Sequence, residues 1–393
     1  MMRRSKMHRL VAAALVVLLS GCGTVKDYFA GKDNIAPPAP LPPLTATLNV
    51  QTVWSARVGV GSAKEYIKLT PSVSSDKVFA ADSAGLVSAY QAGTGQNIWS
   101  VQTKAPVSGG TGSGEGLVLV GTRDAEVLAL DAASGAEKWR AQVSSEVLSV
   151  PRAELGIVVV RTVDGKLFGL KADDGNRLWV YQSSTPALTL RGTSSPLLHE
   201  GKVIAGLANG KLAALNLTDG KLLWEATVAE PRGRSELERL VDISGELQIQ
   251  DDILYAASFQ GRLAAVDTNS GRLVWVREIH SQAGLAVDER AVYVTDNQSH
   301  VLALDRRDGG ILWKQDKLHD RAVTAPAVYG DYVVVGDFEG YLHWLNRTDG
   351  AFAARIRVDD AGLLAAPVTM DDTLYALGKG GALTALRALQ APQ

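Results

Sequence analysis

The chain has 393 residues, of which 46% are apolar, 21% charged and only 6% aromatic, with 39 glycines and a formal net charge of −2. This composition excludes a disordered or fibrous chain and favours a globular protein with many tight turns. The near-balanced charge gives no sign of attraction to nucleic acid or anionic lipid, and the length is compatible with two or three domains or with one closed β-architecture.

The N-terminus carries Arg3, Arg4, Lys6 and Arg9, followed by the apolar run Leu10 to Leu19. That order is a secretory signal peptide, 1–21, and its apolar core is too short for a membrane span, which needs ~20 apolar residues. It ends in Leu19-Ser20-Gly21-Cys22, similar to the lipobox of bacterial lipoproteins, whose thiol is acylated and becomes the first mature residue. Cys22 is the only cysteine, so it serves neither an internal disulfide nor a cysteine-rich metal site, and lipidation is the expected role. In lipoproteins an Asp after the Cys often signals inner-membrane retention. Gly23 stands there instead, which implies the outer membrane. Loss of the signal peptide's four positive charges takes the net charge from −2 to −6. The stretch Gly31 to Leu44 holds Pro37, Pro38, Pro40, Pro42 and Pro43, so 22–48 reads as a lipidated Cys and an extended, semi-rigid spacer.

From there on a motif recurs, Ala-x-Asp-x-x-x-Gly-x-x-x-Trp in its full form. Its turn glycines lie at 95, 135, 175, 220, 271, 309 and 350, spaced by 40, 40, 45, 51, 38 and 41 residues, and the first six are followed four residues later by Trp99, Trp139, Trp179, Trp224, Trp275 and Trp313. The seventh unit ends at Ala354 and has lost the aromatic. A period near 40 with strand-like patterning is that of β-propeller blades. Each unit reads as four short strands, for example Pro326-Ala327-Val328, Tyr332 to Val335, Tyr341 to Leu345 and the stretch after Gly350, with Gly-Asp and Glu-Gly between them as turns. The motif's Asp or Asn suits bonds to turn amides, the Gly a positive φ in a bulged hairpin, and the Trp burial between neighbouring sheets with its N–H on a carbonyl.

After the seventh unit, Ala365-Ala366-Pro367, Leu374-Tyr375-Ala376 and Leu383 to Leu386 supply three strands and no Trp strand. Val53-Trp54-Ser55 resembles the missing one. The expectation is an all-β, eight-bladed β-propeller of four-stranded antiparallel blades spanning 49–393, its eighth blade completed by residues around 50–58 so that N- and C-terminal strands close the ring.

The repeat resembles that of pyrroloquinoline-quinone dehydrogenases, a group that also includes the lipoprotein subunits of the outer-membrane β-barrel assembly machinery, the BamB (YfgL) family. Leu188-Thr189-Leu190-Arg191-Gly192, Glu238-Arg239-Leu240-Val241-Asp242 and the run from Val335-Gly336-Asp337-Phe338 to His343-Trp344 look like the latter. The resemblance implies a non-catalytic scaffold without a cofactor, lipid-anchored in the outer membrane and facing the periplasm. It would bind the periplasmic repeats of the pore subunit BamA, help insert outer-membrane β-barrels and possess unfolded outer-membrane proteins as further partners. Carried over from the family, the contact positions are Leu188, Leu190, Arg191, Arg239 and Asp242. The chain departs from the family pattern at Ser244, where relatives have a second Asp. Independently of the resemblance, blade topology puts both segments on one face, on either side of one blade. The longest spacing, 51, contains the charged stretch Glu230 to Asp242, suited to an enlarged docking loop. The competing reading makes Leu188 and Leu190 strand core, and Arg191 and Asp242 solvated charges.

Two other functions make demands on the sequence. A quinone-dependent dehydrogenase needs a calcium site, a base and, in many cases, a vicinal cysteine pair, and no cysteine follows Cys22. His199, His280, His300, His319 and His343 are isolated and lack metal-ligand spacing. Gly59 to Lys64 and Gly110 to Gly114 fall short of a dinucleotide loop and read as turns or connections between blades. A propeller that binds peptides in its central channel leaves no mark on the sequence.

Overall fold

The structure is a computed structural model that describes residues 37–192 and 194–389. The expected signal peptide, Cys22 and the first part of the expected spacer lie outside the described residues. Every regular element described is a β-strand, and the strands form eight four-stranded antiparallel sheets. Blades 1 to 7 each take four consecutive strands, at 72–102, 112–142, 152–182, 197–227, 248–277, 284–315 and 327–357. Blade 8 takes three strands from 368–389, and Asn49–Arg57 is its outermost strand, antiparallel to Ala382–Leu389. The expected eight-bladed ring, closed by both chain ends, is what the chain forms. Strands two and three of each blade are almost wholly buried. The apolar clusters bridge neighbouring sheets, as where Ile204 and Leu212 of blade 4 meet Leu254 and Ala256 of blade 5.

The Gly-to-Trp motif is the joint between blades. In blade 2 the Asp131 carboxylate accepts the N–H groups of Ala133 and Ser134 at 3.1 and 2.9 Å, and the Ser134 hydroxyl bonds strengthen its hold on the charge, lowering its pKa to about 2. Gly135 then turns with φ +76, a conformation that costs glycine little. One residue before each Trp the pairing register shifts, a β-bulge that aims the indole at the next blade. Trp139 Nε1 donates to Ala172 O of blade 3 at 2.6 Å, and its ring lies where a Cβ on Gly175 would sit, 2.6 Å away. The same pairing joins Trp99 to Gly135, Trp179 to Gly220, Trp224 to Gly271, Trp275 to Gly309 and Trp313 to Gly350. Trp54, on the closing strand, packs on Gly95 and donates to Ala92 O at 2.7 Å, so blade 8 grips blade 1 in the same way.

The exception at Ala354 has a structural cause. Blade 8 has no hairpin between its third and fourth strands, because the fourth comes from the other end of the chain, so there is no turn glycine for a blade 7 tryptophan to cover. Blade 7 inverts the usual pair. Trp344 stands on the third strand, opposite Ala354, where the other motifs carry Ala, or Gly169 in blade 3, opposite Trp, and it is buried against Leu374, Ala376 and Leu386 of blade 8. Its Nε1 finds no acceptor among the described residues.

Chain direction defines two faces. The connections from one blade to the next and the turn between second and third strands lie on one, here the upper face. The first hairpin turn and the glycine turn lie on the lower. Ten residues upstream of the closing strand also belong to the compact body, which starts at Ala39.

Trp139→Ala is expected to lower unfolding free energy by about 3–5 kcal/mol, and Gly175→Ala by at least ~1 kcal/mol. Because both changes strike one contact, the double variant should lose less than the two separate losses combined, as urea denaturation would measure. Full additivity would show that the two residues do not act as one joint.

Candidate functional site

Residues 183–196 connect blades 3 and 4, and 228–247 connect blades 4 and 5, so the two singled-out segments flank blade 4 on the upper face. Neither Leu188 nor Leu190 is in a strand. Leu188 is 39% exposed and Leu190 half-buried, unlike core strand residues. Arg191 is exposed. Its Nη2 meets Glu146 Oε1 of the blade 2–3 connection at 2.8 Å, and its Nη1 donates to Tyr66 O of the blade 8–1 connection at 3.3 Å. One side chain thus braces three connections around the channel mouth.

Asp242 is placed differently from the solvated or partner-facing charge expected from the sequence. It is 3% exposed, and its Oδ1 accepts the Leu190 N–H at 3.0 Å. It therefore joins the two segments across blade 4 and holds the 188–191 loop. Oδ2 is buried with no hydrogen-bond donor among the described residues. Burial pushes its pKa up to about 6, against the opposing pull of the Leu190 N–H and the Arg161 charge. Arg161 is itself 4% exposed, with its pKa lowered to about 10 by burial despite the attraction of Asp242 and Glu246. Its Nη1 donates to Ser194 Oγ at 2.8 Å. Ser195 Oγ in turn donates to Glu246 Oε1 at 2.9 Å. Ser244, the position at which the resemblance led to an expected acidic residue, is buried, and its Oγ has no partner among the described residues. Arg239 lies apart on the surface of a short turn, bonded to Glu236 Oε1 at 3.3 Å and Gly233 O at 3.1 Å.

The structure thus brings Leu190, Arg191 and Asp242 into one network, with Leu188 exposed beside it and Arg239 outside. Sequence reasoning missed Glu146, Arg161 and Tyr66, which lie far from the motif in the chain. It also missed Leu237, 65% exposed within the charged stretch, where a lone apolar residue among charges was the available signal. At the channel mouth a cavity of about 100 Å³ is lined by Tyr66, Lys68, Arg191, Ser244 and Glu246 among others. The Lys68 pKa is lowered by burial, partly offset by Glu246. Among the described residues, only His199, Glu200 and Asp252 cluster in a way that suits a metal ion. They sit on first-hairpin turns of the lower face, and both carboxylates are exposed.

A carboxyl that binds its proton more tightly folded than unfolded favours folding at low pH. The Asp242 contribution should be greatest below pH 3.8 and be lost as pH rises from there through about 6. Asp242→Asn keeps an acceptor for Leu190 N–H and removes the charge. Its stability relative to wild type should therefore climb between pH 4 and 6 and level off above. A pH-independent difference in urea midpoint would show that Asp242 titrates normally.

Residues 83–315 match the family described as outer membrane protein assembly factor BamB. A protein of that name from Pseudomonas aeruginosa is 47% identical over 376 residues, covering 96% of this chain and 97% of the relative. The one from Escherichia coli is 35% identical, covering 93% of this chain and 95% of its own. Among solved structures, BamB from Moraxella catarrhalis superposes with a TM-score of 0.80 at 30% identity, over 86% of this chain and all of that one. The quinohemoprotein alcohol dehydrogenase from Comamonas testosteroni, at TM-score 0.70 and 15% identity over 88% of this chain and 78% of its own, shares the fold alone. With a family match over more than half its length and relatives aligned almost end to end, the chain belongs to the outer membrane protein assembly factor BamB family.

Proposed function

We propose that this protein is a non-catalytic scaffold of the outer-membrane β-barrel assembly complex, held by a lipid on Cys22 at the periplasmic face of the outer membrane. It binds the periplasmic repeats of the pore subunit BamA through the upper-face loop 188–191. The observation that carries the reading is the exposed loop braced from beneath by Asp242 and from the side by Glu146, on a chain matched over 96% of its length by a relative named as an assembly factor.

A loop whose backbone is already pinned loses little conformational freedom on binding, so more of its contact energy survives as affinity. Leu188 and Leu190 supply the apolar anchors, and Arg191 offers a multi-donor guanidinium whose present partners are a rim carboxylate and a carbonyl. Asp242 contributes as a positioning residue through the Leu190 amide. Arg239 supplies charge at the edge of the patch, where it acts on encounter rate more than on affinity.

Leu190→Ala with Arg191→Ala should abolish co-purification with the pore subunit, a loss of about 2 kcal/mol or more in binding, with the propeller intact by circular dichroism. Recovery of the partner by the folded double variant would rule the patch out. For the anchor, Cys22→Ala should move the protein from the membrane to the soluble periplasmic fraction in cells lacking the pore-binding loop residues. Continued membrane fractionation in that background would refute lipidation at Cys22.

A further inference from the structure

From Ala39 onward the spacer is not free. Running from Ala39 to Leu48, it descends the outer edge of blade 7, antiparallel to the strand Phe352–Arg357, from the upper to the lower face. At its upper end Ala39 is buried. Its N–H donates to His319 O at 3.1 Å, and its carbonyl accepts Arg321 Nη1 at 2.8 Å. Midway, Pro42 O accepts Arg355 Nη2 at 3.1 Å. At the lower end the N–H groups of Thr47 and Leu48 both donate to Ala353 O, at 2.9 and 3.2 Å.

The two arginines belong to one chain of bonds, buried at Arg321, Asp337 and His343 and half-buried at Arg355. Arg321, 2% exposed, donates through Nε and Nη2 to Asp337 Oδ2 at 2.9 and 2.8 Å, also pairs with Glu339 and lies 5.1 Å beneath the Phe338 ring. The same Asp337 oxygen is 3.0 Å from His343 Nε2, and Arg355 Nε donates to His343 Nδ1 at 3.3 Å. That pattern assigns the imidazole as neutral, with its proton on Nε2. Burial works against the Asp337 charge, but His343 and Arg321 together hold its pKa below the usual value. The carbonyls of Ala39 and Pro42 are thus the two ends of a single network, Arg321–Asp337–His343–Arg355. Buried charges of this kind cost folding energy unless every donor is used, and two of the donors are used on the spacer.

The prolines explain why the segment covers the strand edge without extending the sheet. Pro40, Pro42 and Pro43 have no N–H to give to a ladder, so the segment blocks the edge yet presents no new pairing row of its own.

We propose that residues 39–48 are a latched strap that fixes where the N-terminal tether leaves the propeller: at the rim of the upper face, the face that carries the 188–191 loop. The part that concerns the membrane rests on the lipidation of Cys22. With the strap docked, only 22–38 link lipid to propeller, a reach of at most ~60 Å at ~3.5 Å per residue, whereas an undocked strap adds ten residues and ~35 Å. The strap therefore confines the partner-binding face to the zone nearest its anchor.

Two arms test this. In the mature chain with Cys22→Ser, the amides of Ala39, Thr47 and Leu48 should exchange at least 10-fold more slowly than in an unstructured peptide of the same sequence. Arg355→Ala should speed them while Val333–Val335 in the blade stay protected. Pro40→Gly, Pro42→Gly and Pro43→Gly together form a second variant that changes none of the network's four side chains, and it should do the same. Exchange of the three wild-type amides at the free-peptide rate would overturn the strap. In the second arm the lipidated protein is bound to phosphatidylethanolamine–phosphatidylglycerol vesicles and labelled at Asp124→Cys on the upper face or Asp173→Cys on the lower. A headgroup quencher should dim the upper label at least twofold more, and Arg355→Ala should narrow the difference. Equal dimming in wild type would overturn the orienting role. Failure to bind vesicles at all would refute lipidation and leave the exchange arm to decide the strap.

Discussion

The contact of an indole with a glycine on the next blade is what the ring depends on. A four-stranded sheet this short buries too little apolar surface to stand alone, so each blade is stable only against its neighbours. The tryptophan does two jobs at that boundary: its ring fills the space a Cβ would occupy on the turn glycine, and its N–H satisfies a turn carbonyl. Glycine is required twice over at these turns, for the positive φ and for the missing side chain.

The joint also explains its own exception. Closing the ring with Asn49–Arg57 removes one hairpin, and with it one glycine turn. A tryptophan at 354 would have had nothing to cover. The large residue moved across the strand pair to Trp344, and the outer edge of blade 7, with small Ala353 and Ala354 along it, became the bed of the 39–48 segment. Closure, the inverted pair and the docked spacer are thus one connected adjustment.

Because cohesion sits in the strands and the lower-face turns, the upper-face connections are free to vary in length without loosening the ring. The 3–4 and 4–5 connections use that freedom. Their order comes from a few polar contacts: Asp242 to the Leu190 amide, Arg161 to Ser194 and Arg191 to Glu146. These place charge where solvent is scarce, at a cost visible in the raised Asp242 and lowered Arg161 pKa values. The result is a rigid exposed loop, which suits recognition of a partner more than support of the fold.

The fold was legible in the sequence because its cause is repeated: the turn glycine and the Trp four residues after it lie in one short motif, and seven turn glycines, six of them followed by the Trp, declare the period. Ring closure was legible for the same reason, since Trp54 is a stray copy of the motif's last letter. The face of the candidate site followed from chain direction, and Leu188 to Arg191 could be singled out as an interruption of the repeat. Burial of Asp242 could not be read, because it depends on Leu190 and Arg161, 52 and 81 positions away, meeting only when blades 3, 4 and 5 close side by side. Likewise Pro40, Pro42 and Pro43 announced an extended segment, which is a property of each residue's own backbone. That the segment lies latched on Arg321 and Arg355 was decided by side chains 282 and 313 residues away, and only the closed ring brings them to it.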